Sequence, residues 1–183
     1  MQLKANSILS ELTREGQNLP SALNRLGLFE FPRLFAKLDP PMPDTLRGVF
    51  KGSFVGPGWL RRLAGPLLAV TGLGGWWGKD FDREGNAVNL VLRRGQMQRC
   101  FPMLLDEGVS RLDGRPGLSL CYDPQNPLPW PWIVDELRSL QPGMLLGMSM
   151  LRLPALKWMA LPFVLEAHTS PIPPTSFPRE GGE

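Results

Sequence analysis

A chain of 183 residues, 43% hydrophobic and 20% charged, fits one globular domain with a single core. Its net charge of +3 is scattered as Arg61-Arg62, Arg93-Arg94, Arg111 and Arg115, without the concentrated positive footprint that a nucleic-acid partner requires. Two cysteines, Cys100 and Cys121, make neither a disulfide framework nor a metal spacing, and a single histidine, His168, removes most zinc sites, any two-His motif and the serine and cysteine triads.

The first twenty residues carry Glu11, Arg14 and Glu15 where a signal peptide needs an apolar run. The most apolar window, from Met144 to Leu165, is interrupted by Arg152, Pro154 and Lys157. A soluble cytoplasmic protein with reduced thiols is expected.

In chain order, residues 6–38 read as helical. Ile8, Leu9 and Leu12 start an amphipathic turn, Gly16 to Pro20 break it, and Leu23, Leu26, Phe31, Leu34, Phe35 and Leu38 resume it, with Pro32 kinking or dividing the second run. The stiff linker DPPMPD (39–44) ends this N-terminal segment. The period then changes to two. RGVFKGSF (47–54) places Phe50, Gly52 and Phe54 on one face. NAVNLVLR (86–93) alternates again, and MQRCFPML (97–104) follows a turn at Arg94-Gly95. VSRLDGRPGLSLCY (109–122) holds an Asp113-Gly114 hairpin signal. Further strands are 132–140, 143–151 across Pro142-Gly143, and 158–167, and the Pro-rich tail 168–183 is expected to be disordered.

About eight or nine short strands joined by tight turns predict a mainly β antiparallel meander, 40–167, and closure into a barrel removes its edges. Such a barrel has room for side chains or one small ligand. The insert 56–75 is long for a hairpin and rich in Leu. With Trp59, Leu60, Leu63, Leu67 and Leu68 on one face and Arg61 and Arg62 opposite, it reads as a helix that plugs one barrel end, a lid over a hydrophobic site, or a transient membrane-surface contact through 59–72.

GGWWGKDFD (74–82) concentrates the candidate chemistry. On a regular strand Trp76 and Asp80 share one face, and Trp77, Lys79 and Phe81 the other. An inward Lys79 needs a carboxylate or an anionic ligand, because a lone buried ammonium is costly; otherwise Lys79 snorkels to solvent. Asp135 and Arg138 would pair on a helix, but on the expected strand they face opposite ways, with Asp135 among Ile133 and Leu137. An inward carboxylate there suits a general acid or base, or a structural ion pair with Arg93, Arg138 or Lys79. Tyr122, the only tyrosine, ends a strand, where its phenol can serve a ligand carbonyl or a loop carbonyl. The methionines on the strands suit an adaptable apolar pocket or ordinary core filling.

Two elements, GVFKGSF from Gly48 and GWWGKDF from Gly75, separated by a Leu-rich insert, resemble the GXWXG family. YDPQNPLPWPWIVDELRSL, MLLGMSM and PFVL are similar to the small uncharacterised domain that usually follows it. The resemblance spans roughly residues 40–167. It departs where Phe50 stands in place of the family's Trp and where Trp130 to Trp132 form an insertion. It implies a calycin-like barrel of lipocalin type and no firmly established activity.

Two functions fit these residues. One is a carrier or sensor holding a lipid, terpenoid or polyketide-like molecule, with Phe50, Trp76, Trp77, Lys79, Tyr122, Asp135 and Arg138 as ligand-binding candidates. The other is a cofactor-independent isomerase, cyclase or lyase, in which Lys79, Tyr122 and Asp135 polarise a carbonyl and move a proton. No residue set calls for a metal, nucleotide or flavin, so no cofactor is expected. The number of inward ionisable groups separates the two: a carrier tolerates one, whereas proton transfer usually needs two near the same atom.

Overall fold

The computed structural model describes residues 19–152 and 160–170. Its strands are β1 (Gly48–Phe54), β2 (Trp76–Phe81), β3 (Ala87–Arg93), β4 (Gln96–Val109), β5 (Pro116–Tyr122), β6 (Ile133–Gln141), β7 (Met144–Leu151) and β8 (Leu161–Ala167). They close in sequence order, with β8 pairing back onto β1, into an antiparallel barrel. Inside and outside alternate along the strands, so odd-numbered residues of β3, β6, β7 and β8 and even-numbered residues of β5 face the interior.

The strand count is eight because the predicted segments at 97–104 and 109 onward are one strand. β4 runs unbroken for 14 residues and pairs with β3 through its first half and β5 through its second. The turn expected at Asp113-Gly114 follows it, and Gly114 takes a left-handed φ of 72°. From Leu19 on, the predicted helical region is more broken than its periodicity suggests. It holds α1 (Leu19–Leu23), a 3-10 turn at Leu28–Glu30 and α2 (Phe31–Phe35), and Pro32 sits in the first turn of α2, where no N–H is needed. Helix predicted before Leu19, strand predicted at 158–159 and the tail beyond Ser170 lie outside the described residues.

Two apolar clusters result. One fills the barrel with Phe50, Phe81, Leu120, Leu137, Leu145 and Phe163 among others. The second lies outside the wall: Leu23, Phe31, Leu34 and Phe35 cover Val134, Leu146, Met148, Met150 and Val164 on the outer face of β6 to β8. The methionines therefore divide, Met103 joining the interior and Met148 and Met150 the outer cluster.

The two barrel ends differ. At one, the linker after α2 crosses the mouth: the Ser139 N–H donates to the Asp39 carbonyl at 2.8 Å, and fully buried Leu46 joins the interior cluster. At the other, the insert forms α3 (Gly58–Val70), with Leu60, Ala64 and Leu68 toward the barrel. Its apolar residues do not form the single face expected. Trp59, Leu63, Leu67 and Val70 lie on the solvent side, because Leu60, Ala64 and Leu68 already complete the i, i+4, i+8 row against the barrel. Among the described residues no helix is long and apolar enough to cross a membrane.

Candidate functional site

The interior polar cluster is assembled from five strands. β2 supplies Lys79, β3 Asn89, β4 Met103, β5 Tyr122 and β6 Asp135. Lys79 is the register partner of Asn89, and Met103 of Tyr122, so these side chains lie at neighbouring levels of the wall. β2 and β6 are four strands apart in a closed ring of eight, so they stand on opposite walls. The long side chain of Lys79 crosses the interior, and its Nζ lies 2.8 Å from Asp135 Oδ2, with both side chains at most 3% exposed.

The ammonium also donates to Asn89 Oδ1 at 3.0 Å and to Met103 Sδ at 3.2 Å, and it sits 5.6 Å and 5.8 Å from the ring centres of Tyr122 and Phe163. All three of its hydrogens thus have acceptors. Asn89 turns its amide to the Tyr122 oxygen at 3.2 Å, and the Tyr122 hydroxyl donates to Asp135 Oδ2 at 3.5 Å. Burial, and next the Asp135 charge, push the Tyr122 phenol well above its ordinary value, so it stays neutral and acts as a donor. Asp135 Oδ1 is buried and has no hydrogen-bond partner among the described residues.

Above this cluster lies a cavity of about 30 Å3, space for a water or two. Phe54, Trp76, Leu161 and Phe163 form its apolar walls, and Leu68 of α3 with Leu73 and Trp130 close the top. The closure is tied by the Trp130 indole N–H, which donates to the Thr71 carbonyl at 2.7 Å, and by Phe101 stacked on the Trp130 ring. Trp76 Nε1 donates to Asn89 Oδ1 at 3.1 Å, joining wall to polar floor.

Trp76 and Lys79 were expected on opposite faces, yet both face inward. The register of β2 against β3 slips between Trp76 and Gly78, and this bulge reverses the alternation between them. Gly52 makes room for the indole: a Cβ there would lie 2.3 Å from its ring. Trp77 is left outside, edge-on to the His168 ring at 5.0 Å. Phe50 is inside but toward the far end, edge-on to Phe81 at 5.2 Å, away from the cavity walls.

Arg138 is not part of the site. It lies on the outer face of β6, fully buried beneath the N-terminal segment. There it bonds both oxygens of Asp113 at 3.1 Å and the Pro116 carbonyl at 2.9 Å, and its guanidinium lies 5.0 Å from the Phe35 ring. Strand parity separates it from Asp135, and the covering helices explain how a charge on the outer face comes to be buried.

Asn89 was missed by sequence reasoning, although it is the hub that binds Trp76, Lys79 and Tyr122. Its signal was one amide on the Ala87, Asn89, Val91 face of an apolar strand. Trp130 was set aside as an insertion, and nothing in its neighbourhood marks a cavity roof. Among the described residues no group of three or more His, Cys, Asp or Glu side chains is placed to hold a metal.

Compared with known proteins, the chain matches no protein-family profile and no curated protein sequence. It is similar to a crystal structure of a protein from Thermomonospora curvata, with a TM-score of 0.65 and 21% identity, covering 89% of this chain and 99% of that one. At that identity the likeness bears on the fold, and it supports the barrel.

Proposed function

We propose that the barrel binds a small hydrophobic molecule that carries a hydrogen-bond donor such as a hydroxyl or enol. The observation that carries this is Asp135 Oδ1, a buried acceptor without a partner on a residue that lines a cavity whose polar floor of Lys79, Asn89, Tyr122 and Ser149 lies under apolar walls. An unpaired buried acceptor costs roughly 1–3 kcal/mol, and a ligand hydroxyl that satisfies it recovers that energy while its apolar body replaces water along Phe54, Trp76 and Phe163. The cavity admits only water as it stands, so Leu68 and Leu73 must move aside for a ligand to enter. α3 suits that movement, because Gly65 and Pro66 interrupt it and Pro66 has no N–H to give the Arg62 carbonyl. On this reading the protein is a carrier or sensor, calycin-like in the manner of lipocalins, working in the cytoplasm. The order of motifs from Gly48 to Leu165 supports grouping it with the GXWXG family.

A second reading is favoured by the meeting of Lys79, Tyr122 and Asp135 at one oxygen, Asp135 Oδ2. A neutral phenol that polarises a carbonyl and a carboxylate that takes a proton are the parts of a cofactor-independent isomerase, cyclase or lyase. Against it, the ammonium and Oδ2 already satisfy each other, which is the arrangement of a structural ion pair.

Native mass spectrometry of protein purified from its own host, followed by denaturing extraction, tests the first reading. The expected result is an apolar compound with a hydroxyl or enol at near one-to-one ratio, whose affinity falls about tenfold in Asp135→Asn. An empty protein whose tryptophan fluorescence also ignores added long-chain alcohols overturns it. A bound compound that is converted to a new product, with conversion lost in Asp135→Asn and in Tyr122→Phe, selects the second reading.

A further inference from the structure

α3 is apolar on both sides. Leu60, Ala64 and Leu68 face the barrel, while Trp59, Leu63, Leu67 and Val70, at i, i+4, i+8 and i+11, form a stripe on the solvent side, between 56% and 88% exposed. A surface helix normally turns a polar face outward, so this stripe calls for a cover.

Charge identifies the cover. α3 contains Arg61 and Arg62, both exposed, and no acidic residue. In an antiparallel meander the connections β1–β2, β3–β4, β5–β6 and β7–β8 all emerge at this end. They and the adjoining end of β3 carry Arg61, Arg62, Arg93, Arg94 and Arg152 among the described residues, against one carboxylate, Asp123. The opposite end mixes signs, with Asp82 and Glu84 beside Arg83, and Asp113 between Arg111 and Arg115. The apolar surface also continues beyond the helix: Leu92 at the β3 end is 39% exposed, and Leu128 and Trp132 of the β5–β6 connection are 66% and 55% exposed. Hydrogen bonds hold these parts together, from Leu92 N–H to the Gly75 carbonyl, Arg93 Nη2 to the Gly72 carbonyl and Trp130 Nε1 to the Thr71 carbonyl.

We propose that this end of the barrel docks onto an anionic membrane surface, with Trp59, Leu63, Leu67 and Val70 inserted at the headgroup–acyl boundary and the exposed arginines, Arg61, Arg62, Arg93 and Arg94, at lipid phosphates. The combination of a tryptophan, aliphatic side chains and cations without anions is that of an interfacial amphipathic helix. A second copy of the chain fits poorly, since a two-fold contact would set Arg61 and Arg62 against their own equivalents. The same helix roofs the cavity, so docking and opening act on one element. The proposal does not depend on the barrel holding a ligand.

Vesicle flotation of the full chain at low ionic strength tests it, with vesicles of phosphatidylcholine alone and of phosphatidylcholine with phosphatidylglycerol. The wild type is expected to float with the anionic vesicles and about tenfold less with the neutral ones, and high salt should weaken the anionic binding. Leu63→Glu with Leu67→Glu should abolish flotation, and Arg61→Gln with Arg62→Gln should reduce anionic binding toward the neutral level. All four side chains are exposed, so the Leu63/Leu67 variant should keep the wild-type urea midpoint, and the Arg61/Arg62 variant should lower it only slightly through loss of the Arg61 Nε bond to the Gly56 carbonyl. Absence of wild-type flotation, or flotation unchanged in the Leu63/Leu67 variant, overturns the proposal. A wild-type dimer in light scattering that the Leu63/Leu67 variant converts to monomer overturns it in favour of a second copy. Failure here leaves ligand extraction and the Asp135→Asn result untouched, so the two readings fall separately.

Discussion

Replacing Lys79 with Met removes one end of a tie that crosses the barrel, while a chain of similar length preserves most of the packing. At 2.8 Å the Lys79–Asp135 attraction is about 6 kcal/mol for an effective dielectric constant of about 20, before the cost of desolvating both groups is set against it. What the variant loses is governed by the group left behind. Asp135 Oδ1 already lacks a partner, so without Lys79 the carboxylate keeps only the 3.5 Å bond from Tyr122. Breaking a buried pair from one side costs about 3–5 kcal/mol, roughly a fifth or more of the stability of an ordinary domain. Asp135→Asn leaves the ammonium with two amide oxygens and the Met103 sulfur, and should cost about 2–4 kcal/mol. The double variant Lys79→Met, Asp135→Asn leaves no charge at this point of the barrel interior, so it should be at least as stable as the weaker single variant and give a coupling of about 2 kcal/mol or more. Urea denaturation followed by tryptophan fluorescence measures all four corners, and the coupling should survive high salt because both groups are shielded from solvent. Additive effects, or a Lys79→Met loss below about 1 kcal/mol, would refute the claim that the pair forms across a closed barrel.

Tyr122 is the only tyrosine, so tyrosinate absorbance reports it alone. Its raised folded value means that stability is flat below ~10 and falls as pH rises above the unfolded value, where the unfolded chain releases a proton that the fold retains, with a slope of up to about 1.4 kcal/mol per pH unit. Folded protein should show no tyrosinate at a pH where the urea-unfolded chain is fully ionised, and Tyr122→Phe should remove its part of the alkaline loss; coincident titrations would contradict the burial. Gly52→Ala should cost about 1–3 kcal/mol and shift the tryptophan emission, because its Cβ meets the movable Trp76 ring, whereas Gly78→Ala should prevent soluble expression, because its Cβ would lie 2.0 Å from the Phe50 carbonyl oxygen. Equal solubility and stability of the two alanine variants would refute that distinction. Burial raises the Cys100 thiol to about 11 and raises Cys121 as well, so both should react slowly with a disulfide reagent at pH 8 and quickly in urea; fast reaction of the folded protein would show that these strands open.

Much of the barrel was legible in the chain because a strand writes its two faces into alternate residues. Phe50, Gly52 and Phe54, or Asp135 between Ile133 and Leu137, declare a common side without any knowledge of partners, and Arg94-Gly95, Asp113-Gly114 and Pro142-Gly143 declare where the chain reverses. Local sequence thus determined the meander, the placement of Asp135 on the apolar face, and its separation from Arg138. The tertiary structure decided what alternation cannot express. Closure brings Lys79 to Asp135 from opposite walls, a contact between residues 56 positions apart that no local spacing encodes. One bulge in β2 puts Trp76 and Lys79 on the same side, since a single extra residue inverts parity beyond it. The N-terminal helices bury Arg138 from outside, so a charge that strand parity alone would send to solvent belongs to a second core. Asn89 and Trp130 acquire their roles only from neighbours supplied by other strands, because a hydrogen-bond hub and a cavity roof are properties of an enclosed volume rather than of a segment.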